Sequence, residues 1–418
     1  MNIKMTDTID HEMADAISFR QLKLFESIGR LHSVRKASEE CNLSQPAVTQ
    51  ALAKLEQRVG ATLVERRASG SYLNEAGTIF LRRTARFFEQ TEQALVELGV
   101  PGGASGAKAI ANRLSRAQIR CLVAIVDHGS FASAADALGV SHASLQRATR
   151  DLEGNLRKSL FHRSAVGMLL GPHGSEFGRR MKLALQEVEW GIREIEAVKG
   201  GFATELSIGG MPFGGSILLA MALDEFVHVY PQVSVRVTIE NAPSMHRSLR
   251  GGEVDLVVGL LPEVHNDELA CVAFSQTPYS VVGRVHHPLL RKGNVTIDEL
   301  LGYDWVVGTH GSSRRACFER LFEGHGKPRA PIATCALPGL RNLLADSDRL
   351  TLMTSYEIEQ EHDGLAQIPF RAIDLVPTMG VTMRAGWLPT KMHQDFVEIV
   401  RRKTATGTRV PALRKVVG

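Results

Sequence analysis

Cysteine is scarce in this chain and never paired. The five cysteines, Cys41, Cys121, Cys271, Cys317 and Cys335, are an odd number with no close pair. They form neither a CxxC nor a zinc spacing, and no disulfide framework follows from them. A reducing compartment suits such a set best. Long apolar runs are lacking too. The longest uncharged stretch, Leu206 to Leu223, holds four Gly, one Pro and two Ser. It reads as strand, turn and helix, so no membrane span is expected. The opening MNIKMTDTIDHEMADAI is acidic and has no apolar centre. No secretory signal is expected there, and a cytoplasmic protein is.

Catalytic and cofactor motifs are equally absent. Gly209-Gly210 to Gly214-Gly215 is not GxGxxG, and no ribose-reading acid is placed behind it. Gly324-His-Gly-Lys327 is too short for a phosphate loop. His286-His287 lacks helical spacing and an acidic third ligand, and no Ser sits in GxSxG. No catalytic residue, metal or cofactor is expected, and the chain is not read as an enzyme.

At 418 residues there is chain for two to four domains with real cores. Net charge is only +4, from 49 Lys+Arg against 45 Asp+Glu. Residues 1–200 hold 27 basic and 22 acidic side chains, and residues 201–418 hold 22 and 23. The whole excess lies in the first half, where it points to a polyanionic partner.

That half contains a repeat. A shift of 97 residues, without a gap, lays Ser33 on Ser130, Ala37 on Ala134, Ser44 on Ser141 and Leu55-Glu56 on Leu152-Glu153. Leu63 then meets Leu160, Arg66 meets Arg163, Gly77 meets Gly174 and Arg82-Arg83 meet Arg179-Arg180. From Phe19 to Arg83, 17 of 65 positions are identical, roughly three times chance at ordinary residue usage. Residues 18–98 and 113–199 are therefore read as one module written twice. Gly99-Val-Pro-Gly-Gly-Ala-Ser-Gly-Ala107 opens a flexible linker over 99–112.

Within copy 1, Leu22, Phe25 and Ile28 have helical spacing. Ser33 to Glu40 suits a second helix, and Asn42-Leu43-Ser44 a tight turn. Ser44 caps a third helix, whose first turn tolerates Pro46. Its apolar face is Ala47, Val48, Ala51, Leu52 and Leu55, which leaves Ser44, Gln45, Thr49 and Gln50 outward. This is a helix-turn-helix, whose second helix reads base edges in the major groove of double-stranded DNA. Leu63 to Leu73 suits a small wing, with Arg66 and Arg67 on phosphate or in the minor groove. Copy 2 offers Ser141, His142, Ser144, Gln146 and Arg147 on the matching helix and Arg163 on the wing. A helical bundle with solvated polar faces is the plainer alternative.

Each module feeds a longer helix. Phe177, Met181, Ala184, Val188, Gly191, Ile195 and Val198 alternate in steps of four and three, a coiled-coil seam. Copy 1 has Phe80, Thr84, Phe87, Thr91, Ala94 and Leu98 at the same offsets. The copy 2 seam is expected to join two chains, with packing inside one chain as the alternative.

Ser44-Gln45-Pro46-Ala47-Val48, Leu55-Glu56, Gly60, Leu63-Val64-Glu65-Arg66-Arg67 and Gly77 resemble the LysR-type transcriptional regulators. Copy 2 keeps Gly129-Ser130-Phe131, Ala134-Ala135, Leu138, Leu152-Glu153 and Leu160-Phe161-His162-Arg163, but has His142-Ala143 in place of Gln-Pro. The family carries one such module, so the tandem is a departure. Either both copies bind DNA, or one serves as a spacer or dimerisation element. The resemblance implies a homodimer or homotetramer and makes RNA polymerase a candidate partner.

After Lys199-Gly200-Gly201 the pattern becomes strand–helix. Strands are expected at Leu206 to Gly209, Val233 to Ile239 and Val254 to Gly259, with helices at Ile217 to Tyr230 and Ser244 to Arg250. A second set runs from Tyr279 through Trp305-Val306-Val307, a helix from Ser312 to Phe322, and Leu350 to Met353. Ala372 to Met383 looks like a return to the first set. The alternation implies a mainly parallel, doubly wound sheet. With short runs such as His287-Pro288-Leu289 it is similar to the family's effector domain, an α/β fold of two lobes like the periplasmic binding proteins. The resemblance places that domain at 204–404, with lobe 1 at about 204–277 and 371–404 and lobe 2 at about 278–370.

Ligands of such folds sit at the carboxyl ends of strands. The turns there offer Met211, Pro212, Phe213, Ser216, Asn241, Thr309, His310, Ser312 and Ser313. Two of these turns open helices, whose free N–H groups favour an anion. A small carboxylate or sugar acid is the expected effector, with simple helix capping by Ser312 as the alternative. Arg314-Arg315 reads as solvated surface. The chain is thus expected to be a multidomain, effector-controlled DNA-binding regulator. Its fold class is two all-α winged helix-turn-helix modules plus an α/β two-lobed domain. A protein–protein adaptor, or a small-molecule-binding protein with attached helices, remains as the other reading.

Overall fold

The computed structural model describes residues 14, 16–68, 70–165, 167–200, 205–264, 266–334, 336–360, 364–371 and 373–405. The chain forms two compact units, 1–204 and 205–418. Among the described residues, no helix is long and apolar enough to cross a membrane.

Side-chain caps punctuate the first unit. The Ser18 hydroxyl accepts from the Gln21 amide while the Gln21 side chain accepts from Ser18, which starts α1 (Phe19–Leu31). Ser33 caps α2 (Val34–Glu40). Asn42 takes a left-handed φ of 51° and turns the chain into Ser44, the cap of α3 (Gln45–Val59). Val48, Leu52, Leu55 and Val59 of α3 are buried against α1 and α2. The strands β1 (Val64–Arg67) and β2 (Gly70–Leu73) form an antiparallel hairpin, with Val64 opposite Leu73. Then α4 (Glu75–Glu97) begins at the Asn74 cap. Gly77 is demanded by close approach, because a Cβ there would lie 2.0 Å from the Leu63 carbonyl oxygen.

The segment expected as a flexible linker is not one. Gly102 takes a left-handed conformation and starts α5 (Gly103–Ala111), which packs on α4 and buries Ala107, Ile110 and Ala111. Three apolar positions at helical spacing outweigh the glycine content of its first turn.

The same order of elements then recurs. Ser115, Ser130 and Ser141 cap α6 (Arg116–His128), α7 (Phe131–Leu138) and α8 (His142–Leu156). The hairpin β3 (Phe161–Ser164) with β4 (Gly167–Leu170) follows, and then α9 (Pro172–Val198). Here the expectation of an intermolecular seam is corrected. Phe177, Met181, Ala184, Val188, Gly191 and Ile195 are buried within the unit, where α9 packs along α4. Only Val198 of the seam is exposed, at 53%. The partner stripe on α4 was already in the chain, with Thr91 donating its hydroxyl proton to the Phe87 carbonyl at 2.7 Å.

The second unit starts with β5 (Glu205–Gly210), α10 (Gly214–Val229), β6 (Ser234–Ile239), α11 (Ala242–Gly251), β7 (Leu256–Leu260) and β8 (Leu269–Gln276). The chain then leaves this layer. It forms β9 (Tyr279–Arg284), α12 (Ile297–Leu301), β10 (Val306–Val307), α13 (Ser313–Leu321), β11 (Ile332–Ala333), α14 (Leu337–Ala345), β12 (Thr351–Thr354), α15 (Ser355–Glu359) and β13 (Leu365–Gln367). It returns with β14 (Thr378–Arg384) and closes with α16 (Lys391–Ala405). The first sheet has the order β6-β5-β7-β14-β8. The strand β5 is parallel to β6 and β7, whereas β14 is antiparallel to both β7 and β8. In the other layer β9 is antiparallel to β12 and β13, and β10 is parallel to β11. The sheets are therefore more mixed than the expected parallel, doubly wound one. A strand that arrives from the other layer, as β14 does, is not held to the parallel sense that a helical crossover imposes.

Asp255 anchors β7 from below, 6% exposed. Its carboxylate accepts from the Ser207 amide at 2.9 Å and lies 3.5 Å from His393 Nε2. Burial pushes its pKa up, but the His393 hydrogen bond and charge, Arg384 and the Ser207 amide outweigh that and hold it below its ordinary value. A carboxyl depressed by folding contributes stability above its unfolded pKa and loses it as pH falls through the folded one. Asp255→Asn should therefore be clearly less stable than wild type at pH 7, with the gap closing below about pH 4. Urea midpoints across that range measure it, and a gap independent of pH would contradict the assignment.

Candidate DNA-facing helices and effector cavity

On α3 the Ser44 hydroxyl is spent on the Ala47 amide at 3.4 Å. Gln45, Pro46 and Gln50 are exposed on the first two turns, and Thr49 is half-buried beside them. Arg66 and Arg67 are exposed on β1; Arg67 pairs with Glu65 at 3.0 Å and sits over the Tyr72 ring. The second set is arranged alike. Ser141 accepts from the Ser144 amide at 3.1 Å, and His142, Ser144 and Arg147 are exposed on the first turns of α8. Gln146 is half-buried, and Arg163 is exposed on β3. Capping turns these side chains outward, since each cap fixes the first turn while the apolar face of the helix is held by the core.

The second unit encloses a cavity of about 600 Å³. Met211, Pro212 and Phe213 reach it from the end of β5, and Asn241 from the start of α11. Thr309, His310, Ser312 and Ser313 reach it from the loop ahead of α13. The expected set is thus brought together, with one exception. Ser216 is not on the wall, because its hydroxyl donates back to the Phe213 carbonyl at 2.7 Å inside the first turn of α10. Asn241 caps α11 through the Ser244 amide at 3.1 Å, and Ser312 caps α13 through the Arg315 amide at 3.2 Å. Both helix starts therefore border the cavity. Two polar atoms there have no partner, His246 Nε2 and Thr309 Oγ1. Burial holds the His246 pKa below its ordinary value.

Arg314 corrects the sequence reading. It is 5% exposed, not solvated. Its guanidinium lies 3.7 Å from the centre of the Phe213 ring and donates to Glu357 at 2.7 Å and to the Leu352 carbonyl. Glu357 also accepts from the Gly214 amide at 3.0 Å and the Thr354 amide at 2.9 Å. Phe213 itself has a φ of 64°, a left-handed conformation that costs a non-glycine residue about 1 kcal/mol or more. Among the described residues, no group of three metal-ligating side chains is present.

Matches to known families follow this architecture. "LysR substrate binding domain" matches residues 199–405, and "Bacterial regulatory helix-turn-helix protein, lysR family" matches residues 19–78 and 117–175. The chain belongs to the LysR family. It is similar to the HTH-type transcriptional regulator GalR of Pseudomonas putida, 27% identical over 390 residues, 91% of this chain and 96% of that one. GbpR of Rhizobium radiobacter is 28% identical over 221 residues, 52% of this chain and 73% of GbpR. A full-length OxyR from Pseudomonas aeruginosa shares the fold, with a TM-score of 0.50 at 19% identity over 69% of this chain and 93% of that one. The chain is a DNA-binding transcriptional regulator under the control of a small-molecule effector.

Sequence reasoning missed several residues around these sites in the LysR-family chain. Arg150 is exposed four residues beyond Gln146, a spacing that was there to be used. Tyr279 and Glu357 border the cavity from strand and helix positions far apart in sequence, with the Tyr279 hydroxyl 2.8 Å from that of Ser313. Removing the Glu357 carboxylate leaves the Arg314 charge buried and uncompensated. Glu357→Ala is expected to lose about 3–5 kcal/mol of stability. Arg315→Ala, which breaks the more exposed pair with Glu319, should change little. Urea unfolding compares the two, and equal small losses would refute the burial argument.

Proposed function

We propose that the chain reads double-stranded DNA with two copies of one winged helix-turn-helix module. Gln45, Thr49 and Gln50 of α3, and His142, Ser144, Gln146 and Arg147 of α8, meet base edges. Arg66, Arg67 and Arg163 meet phosphate or the minor groove, while Ser44, Pro46 and Ser141 set the helix starts. The observation that carries this reading is the likeness of α3 and α8. Both are capped by serine, and both leave polar side chains exposed on the first turns. An exposed arginine stands on each neighbouring hairpin, Arg66 on one and Arg163 on the other.

The cavity takes a small anion, a carboxylate or sugar acid. Arg314 is tied to Glu357 and Arg315 to Glu319, so neither arginine is free for a ligand, and Glu263 adds one negative charge to the wall that an anion must keep clear of. What is left for a ligand is the pair of helix starts at Asn241 and Ser312, with the unpartnered His246 and Thr309 atoms. Oriented N–H groups of this kind favour negative charge. Such a ligand alters DNA binding only by favouring one arrangement of the protein over another. Self-association falls to the second unit in this reading. The α9 seam is already used within the chain, and the edge strand β6 leaves Val237 and Ile239 exposed.

Two measurements test these assignments. In gel shifts, Gln45→Ala should cut the preference for specific over random DNA, by about 1–3 kcal/mol. Arg66→Ala should weaken both alike and reduce the salt slope by about one. Equal losses on both DNAs from Gln45→Ala would remove its base-reading role. For the cavity, calorimetric titration of a carboxylate library should show affinity rising as pH falls below 6.5, since an anion favours the protonated imidazole. His246→Ala should flatten that rise, and an unchanged slope would move the anion elsewhere.

A further inference from the structure

The 97-residue shift pairs each residue of α4 with a counterpart on α9. Arg83 corresponds to Arg180, Gln90 to Glu187 and Glu97 to Glu194. The contacts between the two helices follow this correspondence crosswise. Arg83 binds Glu194 at 3.0 Å, and Arg180 binds Glu97 at 2.6 Å. These are the same ion pair with both ends exchanged. Between them Gln90 donates to Glu187 at 3.1 Å, and those two residues are each other's counterparts. Counterparts that touch lie on a two-fold axis, and exchanged pairs flank one. The helices are antiparallel and related by a local two-fold.

The relation extends beyond the two helices. Lys199, just past α9, donates to the carbonyl of Gly60 at the end of α3. A Cβ on Gly99, just past α4, would lie 3.6 Å from the ammonium of Lys158 at the end of α8. Each long helix thus ends beside the other half's DNA-facing helix. The packing inside each half is also matched. A Cβ on Gly29 of α1 would meet Leu81 of α4 at 2.9 Å, and a Cβ on Gly178 of α9 would meet Val126 of α6 at 2.5 Å. These are counterpart positions with the large and the small residue exchanged.

We propose that a single chain presents both reading heads of a pseudo-two-fold pair, and so fits one B-DNA duplex that bears two unlike half-sites in inverted order. This rests on the reading that α3 and α8 both contact bases. Inversion follows from the two-fold relation. Unlikeness follows from the residues, since Gln45, Thr49 and Gln50 stand where the second half has His142, Gln146 and Arg147. Glutamine suits adenine edges and arginine suits guanine. The starts of α4 and α9 lie about 45 Å apart along the paired helices, some 15 residues to either side of the axis. Half-sites on one face of the duplex lie a whole turn apart, about 34–36 Å, and that is the spacing nearest to this span. Because the heads are covalently joined, occupying the second half-site needs no prior dimerisation.

The test uses the full chain. Binding-site selection from random duplex DNA is followed by hydroxyl-radical footprinting of wild type, of Gln45→Ala with Gln50→Ala, and of Gln146→Ala with Arg147→Ala. All four changes are at exposed or half-buried positions, so folding is retained, and circular dichroism checks it. Selection is expected to return two different motifs in inverted order at fixed spacing. Each double variant is expected to lose about tenfold or more of base preference in one motif only, a different one for each. A perfect palindrome whose two halves fade together in the α3 variant would overturn the proposal, because two chains would then supply the same head. So would two variants that act on the same motif, or an α8 variant without effect. Binding with no recovered motif at all would refute the base-reading role of both helices, an outcome distinct from either of those.

Discussion

The arrangement of the first unit depends on one buried cation. Arg83 is wholly enclosed between α4 and α9, with Glu187 at 2.8 Å and Glu194 at 3.0 Å. Burial works against its charge, and the hydrogen bonds and charges of the two carboxylates more than offset that, so its pKa stands above the ordinary value. A buried guanidinium is tolerable only when its partners are in place. Sliding α9 by one turn along α4 would leave Arg83 facing apolar side chains and two carboxylates without their donor. The pair therefore acts on register more than on net stability, as a lone polar group does in a coiled-coil seam. Register in turn fixes how far apart α3 and α8 stand, because each is built onto one of the paired helices through a short hairpin. The apolar stripe supplies the attraction, and the arginine decides at which step it is used.

Much of this was legible in the sequence because it is local. Serine ahead of an apolar run marks a helix start, and Ser18, Ser33, Ser44, Ser115, Ser130 and Ser141 all cap helices. The four-and-three spacing on α9 marked its buried face. What a spacing cannot state is the identity of the partner. The α9 seam was as compatible with a second chain as with α4, although polar Thr84 and Thr91 in the α4 stripe are both buried. The segment 99–112 misled for a related reason. Glycine and proline lower helix propensity at its start, but Ala107, Ile110 and Ala111 find a surface to cover, and burial decides.

In the second unit the illegible parts are those set by distant residues. Arg314 sits in a polar run, Ser312-Ser313-Arg314-Arg315, that looks like solvated surface. Its burial follows from Phe213 and from Leu352 and Glu357, which arrive from two segments far from it in sequence. The strand β8 was missed because its edge position leaves Ala270, Cys271 and Ala273 without a regular inward alternation. The cavity turns were found because glycines, prolines and capping residues cluster there. Their common use could be read, but not the ion pair that locks them.

That lock bears on how a ligand could act. The Glu357 carboxylate holds the Gly214 amide at the start of α10 and the Arg314 guanidinium, which lies over Phe213 in its strained backbone conformation. The β5–α10 turn from one layer is thus stapled to α13 and α15 of the other by a contact that tolerates little adjustment. A flexible wall would absorb a small anion by local rearrangement. A stapled one passes the difference on, because Glu357 and Arg314 hold the β5–α10 turn to the start of α13 and neither can shift without the other. The closure that a ligand stabilises is then a property of both layers together, which is the condition for a binding event of a few kcal/mol to shift a population and not merely fill a hole.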